Sequence, residues 1–76
     1  MPTVLRLNGY RFFFYSNEHE PLHVHIEKDD AEAKFNLVPV ELVNNYGFNS
    51  KEIQQIKGII IEYQAYFIQQ WNDYFN

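Results

Sequence analysis

The stretch LHVHIEKDDAEAKFNL, residues 22–37, decides the fold. Its first half alternates strictly: Leu22, Val24 and Ile26 point one way, while His23, His25 and Glu27 point the other, because successive side chains of a strand leave opposite faces. Asp29-Asp30 supplies a two-residue turn tolerant of positive φ. Folding back at that turn sets Ile26 opposite Ala33, Val24 opposite Phe35 and Leu22 opposite Leu37, an all-apolar face. The reverse face then pairs His23 with Asn36 and His25 with Lys34. A slip of one residue would send each of these side chains to the wrong side.

Upstream, Asn8-Gly9 between two aromatic and apolar runs is a strong hairpin signal, since both turn positions favour positive φ. It predicts the pairs Leu7 with Tyr10, Leu5 with Phe12 and Arg6 with Arg11. Setting Phe12 opposite Ile26 and Phe14 opposite Val24 joins the two hairpins with their apolar faces together, and brings Arg11 opposite Glu27.

Downstream, Pro39 ends or bulges the fourth strand, and residues 40–43 are a candidate short continuation. Asn49 and Glu52 have the spacing of a helix capping box, with Phe48 set to staple onto Ile53. Ile53, Ile56, Ile60, Tyr63, Phe67, Trp71 and Tyr74 then recur at helical spacing. Gly58 lies outside that stripe and is the predicted bend or break. The expected architecture is α+β, with residues 1–76 as a single domain: an antiparallel β-meander of three to four N-terminal strands, packed on one face by a long or broken C-terminal helix.

Seventy-six residues bury only about 60% of the surface an unfolded chain exposes, and stability of roughly 4 to 11 kcal/mol follows from per-residue norms. The chain has no cysteine, which excludes a disulfide framework and any thiolate metal site and suits a reducing compartment. The opening Met-Pro-Thr-Val-Leu-Arg lacks the apolar run of a signal peptide, and no stretch reaches the apolar length of a membrane span. A cytoplasmic protein without a membrane partner is therefore expected. Ten acidic against six basic residues give a net charge of −4, which argues against broad nonspecific nucleic-acid binding but permits a local basic patch.

The face turned away from the helix carries Val4, Arg6, Arg11, Phe13, Tyr15, His23, His25, Glu27, Glu32, Lys34 and Asn36. Arg6 and Arg11 repel one another unless Glu27 neutralises them or an anion is bound. Phe13 and Tyr15, as exposed aromatics beside charge, suit an interface with another protein or in a homodimer. Arg6, Arg11, Phe13, Tyr15 and Lys34 are thus the candidate ligand-binding or partner-binding residues.

His23 and His25 are the candidate catalytic pair, because imidazoles titrate near neutrality and can act as general base and acid in cleaving an RNA phosphodiester. Joined by His19, they are also a candidate set for zinc or another divalent transition metal, with nitrogen ligands at about 2.0 to 2.1 Å. The plainer alternative is a rim of mixed charges on an ordinary sheet.

The opening Met1-Pro2-Thr3-Val4 with Arg6, Gly9 before an aromatic strand, the block 18–25 reading EHEPLHVH, Glu32-Ala33 and a late Trp71 together resemble the small bacterial family catalogued as domain of unknown function number 4160. The likeness spans essentially the whole chain, and the histidine block is its specific part. The family pattern reads Asp-His-x-Pro-Pro-His-x-His, so Glu18 stands in place of aspartate and Leu22 in place of the second proline. Losing that proline loosens the turn that would aim His19. Arg11 lies outside the family pattern.

The resemblance implies a module encoded beside another small protein, of the toxin and antitoxin kind. Two functional readings result. One is a small interaction module whose sheet face binds a protein partner, such as a cognate protein from the same operon, or an anionic ligand. The alternative is a small RNA-cleaving enzyme acting through His23 and His25, with or without metal.

Overall fold

The computed structural model describes residues 3–15 and 21–75. Five strands and two helices follow in order: β1 (Thr3–Leu7), β2 (Tyr10–Phe13), β3 (His23–Lys28), β4 (Ala31–Leu37), β5 (Val40–Tyr46), α1 (Ser50–Glu62) and α2 (Gln64–Phe75). The strands form one antiparallel sheet whose spatial order is their order in the chain. The fold is α+β, with five strands where the sequence suggested three to four.

The registers follow the turn chemistry. Asn8 and Gly9 take φ of 54° and 85°, and Asp29 takes 54°. Leu7 then pairs with Tyr10, Arg6 with Arg11 and Leu5 with Phe12. Across the next two interfaces Phe12 meets Ile26, Arg11 meets Glu27, Val24 meets Phe35 and His25 meets Lys34. A bulge between Thr3 and Leu5 leaves Val4 out of the cross-strand register and sets Thr3 across from Phe13. One inserted residue reverses the alternation beyond it, so Val4 packs against the apolar core instead of joining the histidine face.

The fifth strand corrects the reading of Pro39. Val38 and Pro39, joined by a cis peptide bond, occupy a two-residue turn, and Leu37 pairs directly with Val40. A proline in a turn owes no N–H to the ladder, so the strand reverses there instead of stopping. β5 then runs for seven residues to Tyr46 with a bulge at Val43, and Gly47 leaves it at a φ of 104°.

Asn49 caps α1 through both bonds of a capping box: its side-chain oxygen accepts from the Glu52 N–H at 2.8 Å, and its own N–H donates to Glu52 Oε1 at 3.0 Å. Replacing Asn49 with alanine is expected to cost about 1 kcal/mol, read as a lower urea midpoint at unchanged slope. An unchanged midpoint would show that the cap adds nothing.

The helical interruption falls at Tyr63, not Gly58. Tyr63 has φ −106° and ψ 19°, yet its N–H still reaches the Ile59 carbonyl at 2.9 Å and its carbonyl still accepts from Phe67 at 3.0 Å. Gly58 lies in open space inside α1. Its neighbours Ile56, Ile59 and Ile60 are buried, and their burial outweighs a glycine penalty of about 1 kcal/mol.

The core is one cluster in which Tyr10, Phe12, Phe14, Val24, Ile26, Phe35 and Leu37 of the strand region meet Ile56, Ile60, Phe67 and Trp71 of the helices. Phe12 lies 5.4 Å from Phe67, and Phe14 lies 5.2 Å from Trp71 in an edge-on contact. The Tyr10 hydroxyl donates to Gln55 at 2.8 Å. Burial, helped by the charge of Glu52, raises its pKa above the ordinary tyrosine value. Gln64 donates to the Leu37 carbonyl, tying α2 to the end of β4. Tyr74, expected on the core stripe, is 40% exposed, and Phe75 packs on Trp71 at 4.2 Å instead. Among the described residues, no helix is long and apolar enough to cross a membrane.

Candidate functional site: a histidine pair under aromatic rings

β3 aims His23 and His25 the same way, and their ring centroids lie 5.1 Å apart, edge to face. The expectation of a shared face holds, but the surface around them is closed: His23 is 3% and His25 6% exposed. Phe13 stacks on His25 at 5.5 Å, Tyr15 meets the same ring edge-on at 4.4 Å, and Trp71 meets His23 at 5.0 Å. Phe13, read from the sequence as an exposed interface aromatic, is 1% exposed. Its ring is closed in by His25, by Tyr15 at 5.2 Å and by the Arg11 guanidinium at 4.4 Å.

Each imidazole has a defined neighbour. His23 Nδ1 lies 2.7 Å from the Pro21 carbonyl oxygen. A carbonyl can only accept, so Nδ1 carries the proton, and in the neutral ring Nε2 holds the lone pair. His25 Nδ1 lies 3.7 Å from Glu32 Oε2, which also accepts from the Tyr15 hydroxyl at 3.1 Å. At 3.7 Å the first contact is too long for a hydrogen bond.

Around this buried floor stands a charged rim. Arg11 Nη1 donates to Glu27 Oε1 at 2.8 Å, and its Nε donates to Thr3 Oγ1 at 2.7 Å. With the Glu27 side chain 43% exposed, the pair fixes geometry more than it stabilises. Arg11 is thereby neutralised in the way its register predicts, while Arg6 opposite it remains exposed. Lys34 and Tyr15 are half-buried. Glu27 and Glu32 face one another across β3 and β4, an unfavourable pairing relieved because Arg11 holds the first and the Tyr15 hydroxyl donates to the second.

The site therefore collects His23, His25, Phe13, Tyr15 and Arg11 from the sequence-based set, with Arg6 and Lys34 at its margin. His19, the third candidate metal ligand, lies outside the described residues, as do Glu18 and Glu20. Among the described residues, no group of three or more histidine or acidic side chains could hold a metal ion. Glu32 and Trp71 were missed as partners of the imidazoles. Glu32 was findable as the diagonal neighbour of His25 across β3 and β4, which long side chains can span. No local pattern pointed Trp71 at His23.

A protein-family model described as "Domain of unknown function (DUF4160)" matches residues 9–72, a span that includes both described imidazoles and Trp71. No curated protein and no solved structure matches the chain.

Proposed function

Because the chain belongs to the DUF4160 family, whose description states no activity, we propose a function from the site itself: a small interaction module that recognises a protein partner with the sheet face bearing Arg6, Arg11, Tyr15 and Lys34. On this reading the helices cover the opposite face, supported by the ring contacts of Phe12 and Phe14 with Phe67 and Trp71.

The observation that carries the proposal is the burial of His23 and His25. An acid–base pair must come within about 2.6 to 3.2 Å of the atoms it serves, and rings sealed beneath Phe13, Tyr15 and Trp71 serve better as a rigid floor. That floor presents the rim in one geometry. Arg11, held by Glu27 and Thr3, loses little further freedom on binding.

A protein is favoured over a small anion because Glu27 and Glu32 stand among the cations, and a surface of both signs complements another such surface. The partner would be a small protein encoded beside this one, in a pair of the toxin and antitoxin kind. One observation favours a second reading, RNA cleavage through His23 and His25: the Glu32 carboxylate lies near His25 Nδ1, as in sites where a carboxylate orients a general base.

Affinity capture of the neighbouring gene product separates the two. Arg6→Glu with Lys34→Glu is expected to weaken capture by about tenfold or more, roughly 1.4 kcal/mol, while His25→Gln, checked for folding by circular dichroism, leaves it within about threefold. Capture untouched by the double charge reversal overturns the interaction reading, and RNA cleavage abolished by His25→Gln supports the enzyme.

A further inference from the structure

The bulge at Val4 re-aims a side chain. Uninterrupted alternation would put Thr3 with Leu5 and Leu7 on the core side of β1. With the bulge, Thr3 stands across from Phe13, on the side that carries Arg6 and Arg11. Tyr66 of α2 holds the bulge in place, its hydroxyl donating to the Val4 carbonyl at 2.7 Å.

The re-aimed hydroxyl completes a group of donors. Thr3 Oγ1 accepts from Arg11 Nε at 2.7 Å, which leaves the hydroxyl proton to donate elsewhere. Arg11 is fixed on two further sides, by Glu27 at Nη1 and by the Phe13 ring at 4.4 Å. Among the described residues, no hydrogen bond uses its Nη2. Arg6, directly opposite, is exposed and has no carboxylate within ion-pair distance among the described residues. Like charges set opposite one another on a sheet are unfavourable, and an anion placed between them reverses the sign of the interaction.

We infer that Arg6, Arg11 Nη2 and the Thr3 hydroxyl form a receptor for one carboxylate, presented by the protein partner. The inference rests on the interaction reading above and adds to it the chemical group that the partner contributes. Charge selects the class of anion. Glu27 already neutralises Arg11, so the charge of Arg6 alone is left to be compensated, and a monoanionic carboxylate matches it. A phosphate group, at about −1.5 to −2, would bring excess negative charge beside Glu27 and its neighbour Glu32. The fork of a guanidinium also fits the two oxygens of a carboxylate. Arg11 is held before the partner arrives, so little further freedom is lost on binding.

Acetate probes the receptor directly. In nuclear magnetic resonance titrations against sodium chloride at matched ionic strength, acetate is expected to shift the Arg11 Nε–H and Thr3 amide signals saturably. Arg6→Gln weakens acetate binding by about tenfold or more, and Thr3→Val, which keeps the shape and removes the hydroxyl, by at least about threefold. Lys57→Gln, at an exposed position of α1, leaves it within about twofold. Each variant is checked for native circular dichroism. Equal shifts with chloride, or acetate binding untouched by Arg6→Gln, overturns the inference. So does inorganic phosphate bound about tenfold more tightly than acetate, which assigns the group to a phosphoryl ligand instead.

Capture of the neighbouring gene product separates the receptor from the function proposed above. Capture weakened by Arg6→Gln and Thr3→Val, and no longer sensitive to them once one partner aspartate or glutamate is changed to its amide, supports the receptor. Capture by the native chain that neither variant weakens overturns the receptor and leaves the interaction reading standing. Failure of the native chain to capture the product overturns the interaction reading, while saturable acetate binding lost in Arg6→Gln still upholds the carboxylate receptor.

Discussion

Phe13→Ala is expected to remove about 3 to 5 kcal/mol of stability, the range for truncating a buried phenylalanine. Phe13 lies on the sheet face that alternation sets opposite Phe12, yet it is 1% exposed and packed between His25, Tyr15 and the Arg11 guanidinium. Truncation leaves a hole in a cluster of rings whose members cannot collapse far, since β2 and β3 hold their backbones in register. In a domain of roughly 4 to 11 kcal/mol the loss leaves the fold marginal. Urea unfolding followed by Trp71 fluorescence reads it as a fall in midpoint. A loss below about 1 kcal/mol would mean the ring is solvated, and the histidine face would be the open surface that the sequence suggested.

Trp71→Ala should cost a comparable 3 to 5 kcal/mol, for a different reason. Trp71 joins elements that are not neighbours in the chain: it meets Phe14 after β2, His23 at the start of β3, and Phe75 in its own helix. At about 4 to 8 °C per kcal/mol for a domain of this size, the melting temperature should drop by at least about 12 °C in a circular dichroism melt. Tyr74→Ala, at a 40% exposed position in the same helix, is the control and should shift it by no more than about 8 °C. Loss of the indole should also move the His23 ring proton resonances, because the two rings are 5.0 Å apart. Equal melting temperatures for the two variants would show that Trp71 does not hold α2 to the sheet.

Particular residues explain what the sequence made legible. Asn8-Gly9 and Asp29-Asp30 are local turn signals, and the apolar alternation on either side leaves one register in which like faces meet, so most of the pairs of the first four strands were legible, though neither the bulge at Val4 nor the end of β2 at Phe13, before the expected Phe14–Val24 pair, was. The start of α1 was equally local, because Asn49 and Glu52 satisfy each other's backbone. Pro39 misled because a proline reads the same whether it stops a strand or turns one. Only the partner residues, Leu37 and Val40, decide which. Gly58 misled for the opposite reason: its low helix propensity is real, but three buried isoleucines beside it outweigh that propensity.

The candidate site divides along the same line. By itself the sequence determined that His23 and His25 share a side of β3, that Arg11 meets Glu27, and that Arg6 is left opposite another arginine, because strand alternation and cross-strand pairing are short-range and geometric. Tertiary structure alone decided that this side is closed at the imidazoles, that Phe13 is core rather than surface, and that Trp71 lies against His23. Alternation says which way a side chain points, whereas burial depends on what arrives from elsewhere in the chain, and the arrival of α2 beside β3 is set by the packing of the whole core.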